Sequence, residues 1–296
     1  MPIPAHLLHV CLWLIGRLPF PLLDALGSGM GALARSLRLR EARVARRNIE
    51  LCWPQRDASE RERLWRSNLA ETGRTLFETA RFWTRPAAHN LDLVRRVEGI
   101  ELLHAARAAG RGVIIAAPHL GNWELLNQWL AAQSALAILY RPPRRVWGDA
   151  LIRRLRAQPG VTQVRAEASG VRILLKQLKD GGMVGILPDQ QPKRGDGHFA
   201  PFFGVTALTM TLLPRLANKT GATVLSAYAE RLPENRGFCI RLQTVPPDIA
   251  SDDMDRATTI LNAALEACIR QAPSQYQWSY KRFSMRPEGE ARIDYD

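Results

Sequence analysis

The apolar positions of this chain change period part-way along. Two apolar pieces, His6 to Ile15 and Phe20 to Leu33, open it, and Arg17 and Pro19 separate them. Asp57 to Trp83 then carries Leu64, Leu69, Leu76, Phe77 and Phe82 at helical spacing, which predicts a long amphipathic helix. Pro86 ends it, and Gly99 to Ala108 reads as a short helix. From Gly112 onward, short β-branched runs alternate with helical stretches. Strands are predicted over Gly112 to Ala117, Ala135 to Tyr140, Met183 to Leu187, Thr223 to Ala229 and Phe238 to Val245. Helices are predicted over Trp123 to Gln133, Gly148 to Ala157, Gly170 to Lys179, Thr206 to Asn218 and Asp253 to Arg270, the last opened by acidic residues as the helix dipole prefers. Strand–helix alternation predicts an α/β fold with a mixed, largely parallel sheet flanked by helices.

Three predicted strands end in polar residues, and the carboxyl edge of such a sheet is where chemistry collects. The first ends in Pro118-His119-Leu120-Gly121-Asn122-Trp123-Glu124. Asn122 can cap the following helix, whose first turn holds Glu124. Across the tight Leu-Gly turn, one imidazole nitrogen of His119 can donate to Glu124 while the other faces a substrate. A capping carboxylate beside a structural histidine meets the same spacing, and the bare pattern is common by chance. The second strand ends in Tyr140-Arg141-Pro142, and a guanidinium there suits a phosphate. Arg144, Arg145, Arg153 and Arg154 follow and read individually as solvated cations. The third ends in Leu187-Pro188-Asp189-Gln190. Asp189 can order Arg141, bind a substrate hydroxyl or start a turn. Beyond it, Lys193, Arg194, Gly195 and Gly197 form a loop leading to Phe199-Ala200-Pro201-Phe202-Phe203-Gly204. Those aromatics suit an acyl chain, a membrane or the core.

Neither N-terminal apolar piece supplies the roughly twenty unbroken residues that a membrane span needs. No basic n-region or Ala-x-Ala site marks a signal peptide. Helices lying on or dipping into a membrane fit better, and a pair of buried core helices is the alternative. Six arginines follow between Arg35 and Arg47: Arg35, Arg38, Arg40, Arg43, Arg46 and Arg47. They suit anionic headgroups, at roughly 1 kcal/mol per cation near a surface, and match the positive-inside pattern. The 296 residues carry a formal net charge of +13, which favours an anionic partner. Nucleic acid ranks low, because no aromatics interleave with the arginines and no reading motif appears. The four cysteines, Cys11, Cys52, Cys239 and Cys268, are widely spaced and read as buried thiols rather than zinc ligands. No nucleophile elbow, Walker loop, Gly-x-Gly-x-x-Gly or His-Glu-x-x-His is present, which disfavours serine hydrolases, nucleotide-dependent kinases and thermolysin-type proteases.

The His119 string resembles the His-x4-Asp/Glu motif of the glycerolipid acyltransferase superfamily and, more closely, the late acyltransferases of bacterial lipid A biosynthesis. Further blocks follow in order. Arg43 to Asn48 resembles the family's basic R-x3-N segment, and Tyr140-Arg141-Pro142 its substrate-binding arginine block. Asp189-Gln190 resembles its strand-end Asp motif. Phe202-Phe203-Gly204 with Ala207 and Thr209 resembles F-F-G-x-x-A-x-T. Tyr276 to Phe283 with Arg286-Pro287 resembles the terminal signature. Ser274 stands where the family usually has Glu.

The resemblance implies O-acyl transfer from an acyl thioester, carried by acyl carrier protein, to a hydroxyl of a lipid A precursor. It implies a glycerolipid acyltransferase-like fold, with no metal or cofactor and no covalent intermediate. His119 would be the base and Glu124 its orienter, with Arg141, Asp189, Gln190, Asn122 and Arg154 binding substrate. Backbone amides near Gly121 are the candidate oxyanion donors. Residues 1–34 would be a membrane-associating element and 35–296 the catalytic domain, at the cytoplasmic face of a bacterial inner membrane. An acyltransferase for another membrane lipid, or a non-catalytic lipid-binding protein, are the alternative readings.

Overall fold

A computed structural model describes residues 3–143 and 145–295. Four helices come first: α1 (Ile3–Arg17), α2 (Phe20–Ser36), α3 (Arg40–Cys52) and α4 (Ala58–Thr84). Next come α5 (Ala87–Leu91), β1 (Val94–Glu98), α6 (Ile100–Ala108), β2 (Val113–Ala116), α7 (Trp123–Gln133) and β3 (Leu136–Tyr140). The middle of the chain forms α8 (Val146–Leu155), β4 (Val161–Arg165), α9 (Ala168–Lys179) and β5 (Met183–Ile186). The rest is β6 (Gly197–Phe202), β7 (Val205–Met210), α10 (Leu212–Thr220), β8 (Thr223–Arg231), β9 (Phe238–Thr244) and α11 (Met254–Gln271).

One seven-stranded sheet, in the order β1-β9-β8-β2-β5-β3-β4, organises the molecule. Strands β8, β2, β5, β3 and β4 are mutually parallel, so their carboxyl ends share one edge. Strand β9 runs antiparallel to β8, and β1 runs parallel to β9. The two central strands, Val-Ile-Ile-Ala and Met-Val-Gly-Ile, are buried at every position, as strands covered on both faces require. Ile114, Ala116, Val184 and Ile186 pack toward α9, α10 and α11. Val113, Ile115 and Met183 face the opposite layer, with Leu103 of α6 and Leu125, Leu126 and Trp129 of α7. The predicted α/β class and its mostly parallel sheet are therefore what the chain adopts.

Departures from the sequence reading are local. The stretch expected as a helix from Thr206 splits: its first half is β7, and α10 begins only at Leu212. The cause is the two-residue turn Phe203-Gly204, with both φ positive at 51° and 77°, which folds β6 onto β7 as a hairpin. Phe202 and Phe203 are consequently core residues, not loop aromatics. Strands β1 and β4 lie at the two sheet edges, where short runs such as Val-Arg-Arg-Val-Glu carry little apolar signal. Of the cysteines, Cys52, Cys239 and Cys268 are buried thiols, whereas Cys11 is exposed on α1.

The long helix α4 starts on a capping box between Asp57 and Glu60 and is the support for α1 and α2. Glycines set that approach. A Cβ on Gly73 would overlap the Gly27 carbonyl, and one on Gly31 would overlap the Leu69 carbonyl. Helices α1 and α2 meet at 117°, and among the described residues no single helix is long and apolar enough to cross a membrane. Their outer faces leave Ile3, Leu7, Leu14, Leu22, Leu26 and Leu33 exposed.

Gly73→Ala is expected to lower stability by about 1–3 kcal/mol, because backbone has to move. Gly29, with nothing within 4 Å of an added Cβ, is the control: Gly29→Ala should be neutral or gain up to about 1 kcal/mol of helix propensity. Denaturant unfolding of both variants in one detergent checks the contrast.

Candidate active site

Strand β2 ends at Ala116, and Pro118-His119-Leu120-Gly121 carries the chain to α7. Gly121 has φ +61°, and a Cβ there would strike the Ala229 carbonyl, so the turn is possible only with glycine. The backbone of the turn is tied to neighbouring segments. Gly121 N–H donates to Gln275 O (3.1 Å), Asn122 N–H to Ala229 O (3.0 Å) and Gln277 N–H to His119 O (2.9 Å). Of the backbone amides near Gly121 expected as oxyanion donors, those of Gly121 and Asn122 are therefore bonded to other segments.

The partner of His119 is Asp189, from the end of the adjacent strand β5. Nδ1 of His119 lies 2.7 Å from Asp189 Oδ1, and the His119 backbone N–H donates to Oδ2 at 2.9 Å. An ionised carboxylate only accepts, so Nδ1 carries a proton in this bond, and the neutral tautomer that fits it has its lone pair on Nε2. The Asp189 side chain is 2 % exposed and that of His119 16 %. Burial alone would push the Asp189 carboxyl up. The imidazole, its two hydrogen bonds and the Arg282 guanidinium outweigh burial and hold it below its ordinary value of 3.8. Trp123 packs edge-on against the imidazole at 5.1 Å, which fixes the ring. Gln190 Nε2 donates to Gln277 Oε1 (3.2 Å) and sits 3.4 Å from His119 Nε2.

Glu124 does not meet His119 Nδ1, contrary to the sequence reading. It is buried in the first turn of α7 and its carboxylate is taken by Arg156, which follows α8. Nε of Arg156 lies 3.1 Å from both carboxylate oxygens, and Nη2 closes a fork on Oε1. Asn122, expected to contact substrate, is fully buried. Its Oδ1 caps α7 by accepting from Leu125 N–H (3.2 Å), and its Nδ2 donates to Glu78 (3.0 Å), so no face is left for a ligand. Arg141 is exposed at the carboxyl end of β3 and Arg154 is exposed on α8; Arg144 lies outside the described residues. Asp189 is committed to His119 and so does not order Arg141.

Two further assemblies fix this edge. The first is the C-terminal segment. Asn68 donates to Ser274 O (2.9 Å) and Tyr276 O (2.6 Å), and Asn48 donates to Trp278 O (2.6 Å) and Tyr280 O (2.7 Å). Both asparagines thus clamp the terminal block to the helices. Ser274 contributes a backbone carbonyl, which any residue supplies. Arg282 is buried below the site and donates to Leu208 O (2.5 Å) and Thr209 Oγ1 (3.1 Å). The second is a buried ion network. Arg231 of β8 binds Glu78 with two bonds of 2.5 Å, pairs with Glu71 and donates to Thr75 (2.9 Å). Glu71 in turn meets Arg74, which reaches Asp24 of α2 at 2.6 Å. Sequence reasoning passed over Asn48, Asn68, Glu78, Arg156 and Arg231. Only the first falls in a motif, and none lies near its partner in the chain.

A histidine held by a buried aspartate thus stands at the carboxyl edge of the mostly parallel sheet, an arrangement chemically able to take up a proton, and among the described residues no group of three His, Cys, Asp or Glu side chains is placed to hold a metal ion. The profile of the bacterial lipid A biosynthesis acyltransferase family matches residues 3–285, and the chain belongs to that family. It is 31% identical over 288 residues to the lipid A biosynthesis lauroyltransferase of Escherichia coli K12, covering 94% of this chain and 90% of the relative. It is 32% identical over 289 residues to the palmitoleoyltransferase of the same organism, covering 95% and 91%. A lipid A biosynthesis acyltransferase of Haemophilus influenzae is 26% identical over 98% of this chain and 93% of its own length. The chain is thus a lipid A acyltransferase.

Because the folded pKa of Asp189 lies below 3.8, its pairing contributes stability above that pH and loses it as pH falls through the folded value. Asp189→Asn is expected to lower the melting temperature at pH 7 and to flatten the acid limb below about pH 4; melts across pH check this. Arg231→Met, which leaves Glu78 buried without its cation, should cost about 3–5 kcal/mol in denaturant unfolding.

Proposed function

We propose that this enzyme transfers a fatty acyl chain from an acyl-carrier-protein thioester to a free hydroxyl of a phosphorylated, acylated lipid A precursor, with His119 as general base. The observation that carries this reading is the Asp189 bond to Nδ1, which in the neutral imidazole puts the lone pair on Nε2, where the one described contact is the long 3.4 Å approach of Gln190 Nε2. The acceptor hydroxyl loses its proton to Nε2 as its oxygen attacks the thioester carbonyl. The tetrahedral intermediate collapses by breaking the C–S bond, and the imidazolium returns the proton to the departing thiolate. Asp189 orients the ring and offsets the imidazolium charge. Glu124 acts through Arg156, which it holds as a fixed cation beside the turn. Arg141 and Arg154 meet the phosphates or sugar acids of the acceptor, and Gln190 binds beside Nε2. The enzyme works at the cytoplasmic face of the inner membrane, with the apolar faces of α1 and α2 in the lipid and the arginines of α3 at headgroup level.

The test is mass spectrometry of a tetra-acylated, Kdo-bearing precursor incubated with the detergent-solubilised enzyme and mixed acyl-carrier-protein thioesters. One added acyl group is expected, absent with folded His119→Ala. Asp189→Asn should reduce kcat by about 10²–10⁴-fold. Acyl transfer that survives His119→Ala would sink the mechanism. Absence of any gain, followed by acylation of a total bacterial lipid extract, would reassign the acceptor to another membrane lipid.

A further inference from the structure

One cavity among the described residues lies away from His119. It is an open concavity of about 360 Å³ between the end of α2, the start of α3 and α4. Arg35, Arg38, Arg43, Arg46, Arg47 and Trp65 line it. Against these five guanidiniums stand two carboxylates, Glu50 and Asp294. Glu50 contacts Arg46 (3.4 Å) and Arg47 (3.5 Å) and Glu62 contacts Arg46 (3.8 Å), all partly exposed and screened, so the guanidiniums still outnumber the carboxylates.

An independent observation concerns the backbone. Arg38 has φ +49°, at the left-handed position that closes α2, where Leu39 N–H reaches back to Ala34 O (3.0 Å). Glycine is the favoured residue there, and an arginine costs roughly 1 kcal/mol. The fold keeps that cost at a position whose side chain lines the cavity. Nearby, α3 begins at Arg40 without a side-chain cap, and Glu41 is the acidic residue of its first turn. Arg46 stacks over the Trp65 ring at 5.2 Å, and Trp65 is held by its own bond to Ala42 O (2.8 Å). One wall of the cavity, Arg46 over Trp65, is thereby held in place.

We infer that this cavity binds the phosphate headgroup of an anionic membrane phospholipid, separately from the acyl acceptor. The occupant follows from what borders the cavity. Leu33, Leu37 and Leu39, on the same α2–α3 corner, are exposed at 56%, 61% and 44%. An apolar rim beside a pocket of guanidiniums matches one lipid, with chains along the leucines and phosphate among the arginines. A cavity of this size takes one headgroup and not a helix of an acidic protein. The inference rests on the membrane placement proposed above. It adds that one built site, rather than diffuse charge, supplies the anionic preference.

The test uses full-length protein carrying His119→Ala, diluted from detergent onto sedimentable vesicles at low salt. Some vesicles are phosphatidylcholine alone and others are doped with phosphatidylglycerol. The parent is expected to bind both, and the doped vesicles more tightly. Arg35→Gln with Arg38→Gly, the second being the residue the backbone prefers, should reduce the phosphatidylglycerol-dependent gain by roughly 30-fold and leave binding to neutral vesicles unchanged. Arg107→Gln with Arg111→Gln removes equal charge elsewhere and should change the gain by less than about three-fold. Equal losses from both pairs would overturn the site in favour of diffuse charge. Competition by millimolar glycerol phosphate would reassign it to free phosphate. Unchanged vesicle binding with weakened retention of acyl carrier protein would reassign it to an acidic protein. A parent that binds neutral vesicles without any phosphatidylglycerol gain overturns the pocket alone. A parent that binds neither overturns the membrane placement with it.

Discussion

Two hydrogen bonds to one buried carboxylate hold the centre of this molecule together. Asp189 takes the His119 backbone N–H through one oxygen and the imidazole Nδ1 through the other. The first bond ties the turn after β2 to the end of β5, and the second selects the tautomer. Neither is possible unless β2 and β5 are neighbours and in register, which their four-residue parallel ladder ensures. An ionised aspartate with 2 % of its side chain exposed would be costly alone. It is tolerated because the imidazole, the amide and Arg282 together favour its charge. Structure and chemistry therefore make the same demand of this residue.

The surrounding scaffold works at fixing that turn rather than at binding anything. The C-terminal segment pairs with it at Leu120 and Tyr276, and Asn48 and Asn68 hold that segment against α3 and α4. From the other side, Glu78 and Arg231 hold Asn122, which caps α7. The network continues through Glu71 and Arg74 to Asp24 on α2. A continuous run of buried and half-buried polar contacts thus joins α2 to the turn after β2. Precise placement of a base matters because proton transfer requires near-hydrogen-bond distance to the acceptor hydroxyl.

Much of the architecture could be read from the chain because its signals are local. The run Val113 to Ala116, the cap at Asn122, the amphipathic spacing from Asp57 and the acidic start of α11 each announce themselves within a few residues. The placing of His119, Arg141 and Asp189 at strand ends follows from the same periodicity. What periodicity does not contain is strand order. Asp189 lies 70 residues from His119, and only the insertion of β5 between β2 and β3 brings them together. Glu124, five residues away, was the nearest carboxylate in sequence, but its helix turns it toward Arg156. The hairpin at Phe203 was hidden for a different reason: a phenylalanine at positive φ is held there by packing against Trp53 and by Arg270 above its ring, not by turn propensity.

The central claim is that Asp189, and not Glu124, holds the proton of His119 on Nδ1 and so turns Nε2 toward the acceptor. Nitrogen-15 and proton NMR of histidine-labelled enzyme, with the His119 signals assigned by their loss in His119→Ala, tests this most directly. The account predicts a neutral His119 protonated at Nδ1, with a downfield proton that is lost or shifted in Asp189→Asn and kept in Glu124→Gln. A proton on Nε2, or an Nδ1 proton that survives Asp189→Asn and disappears in Glu124→Gln, would contradict it.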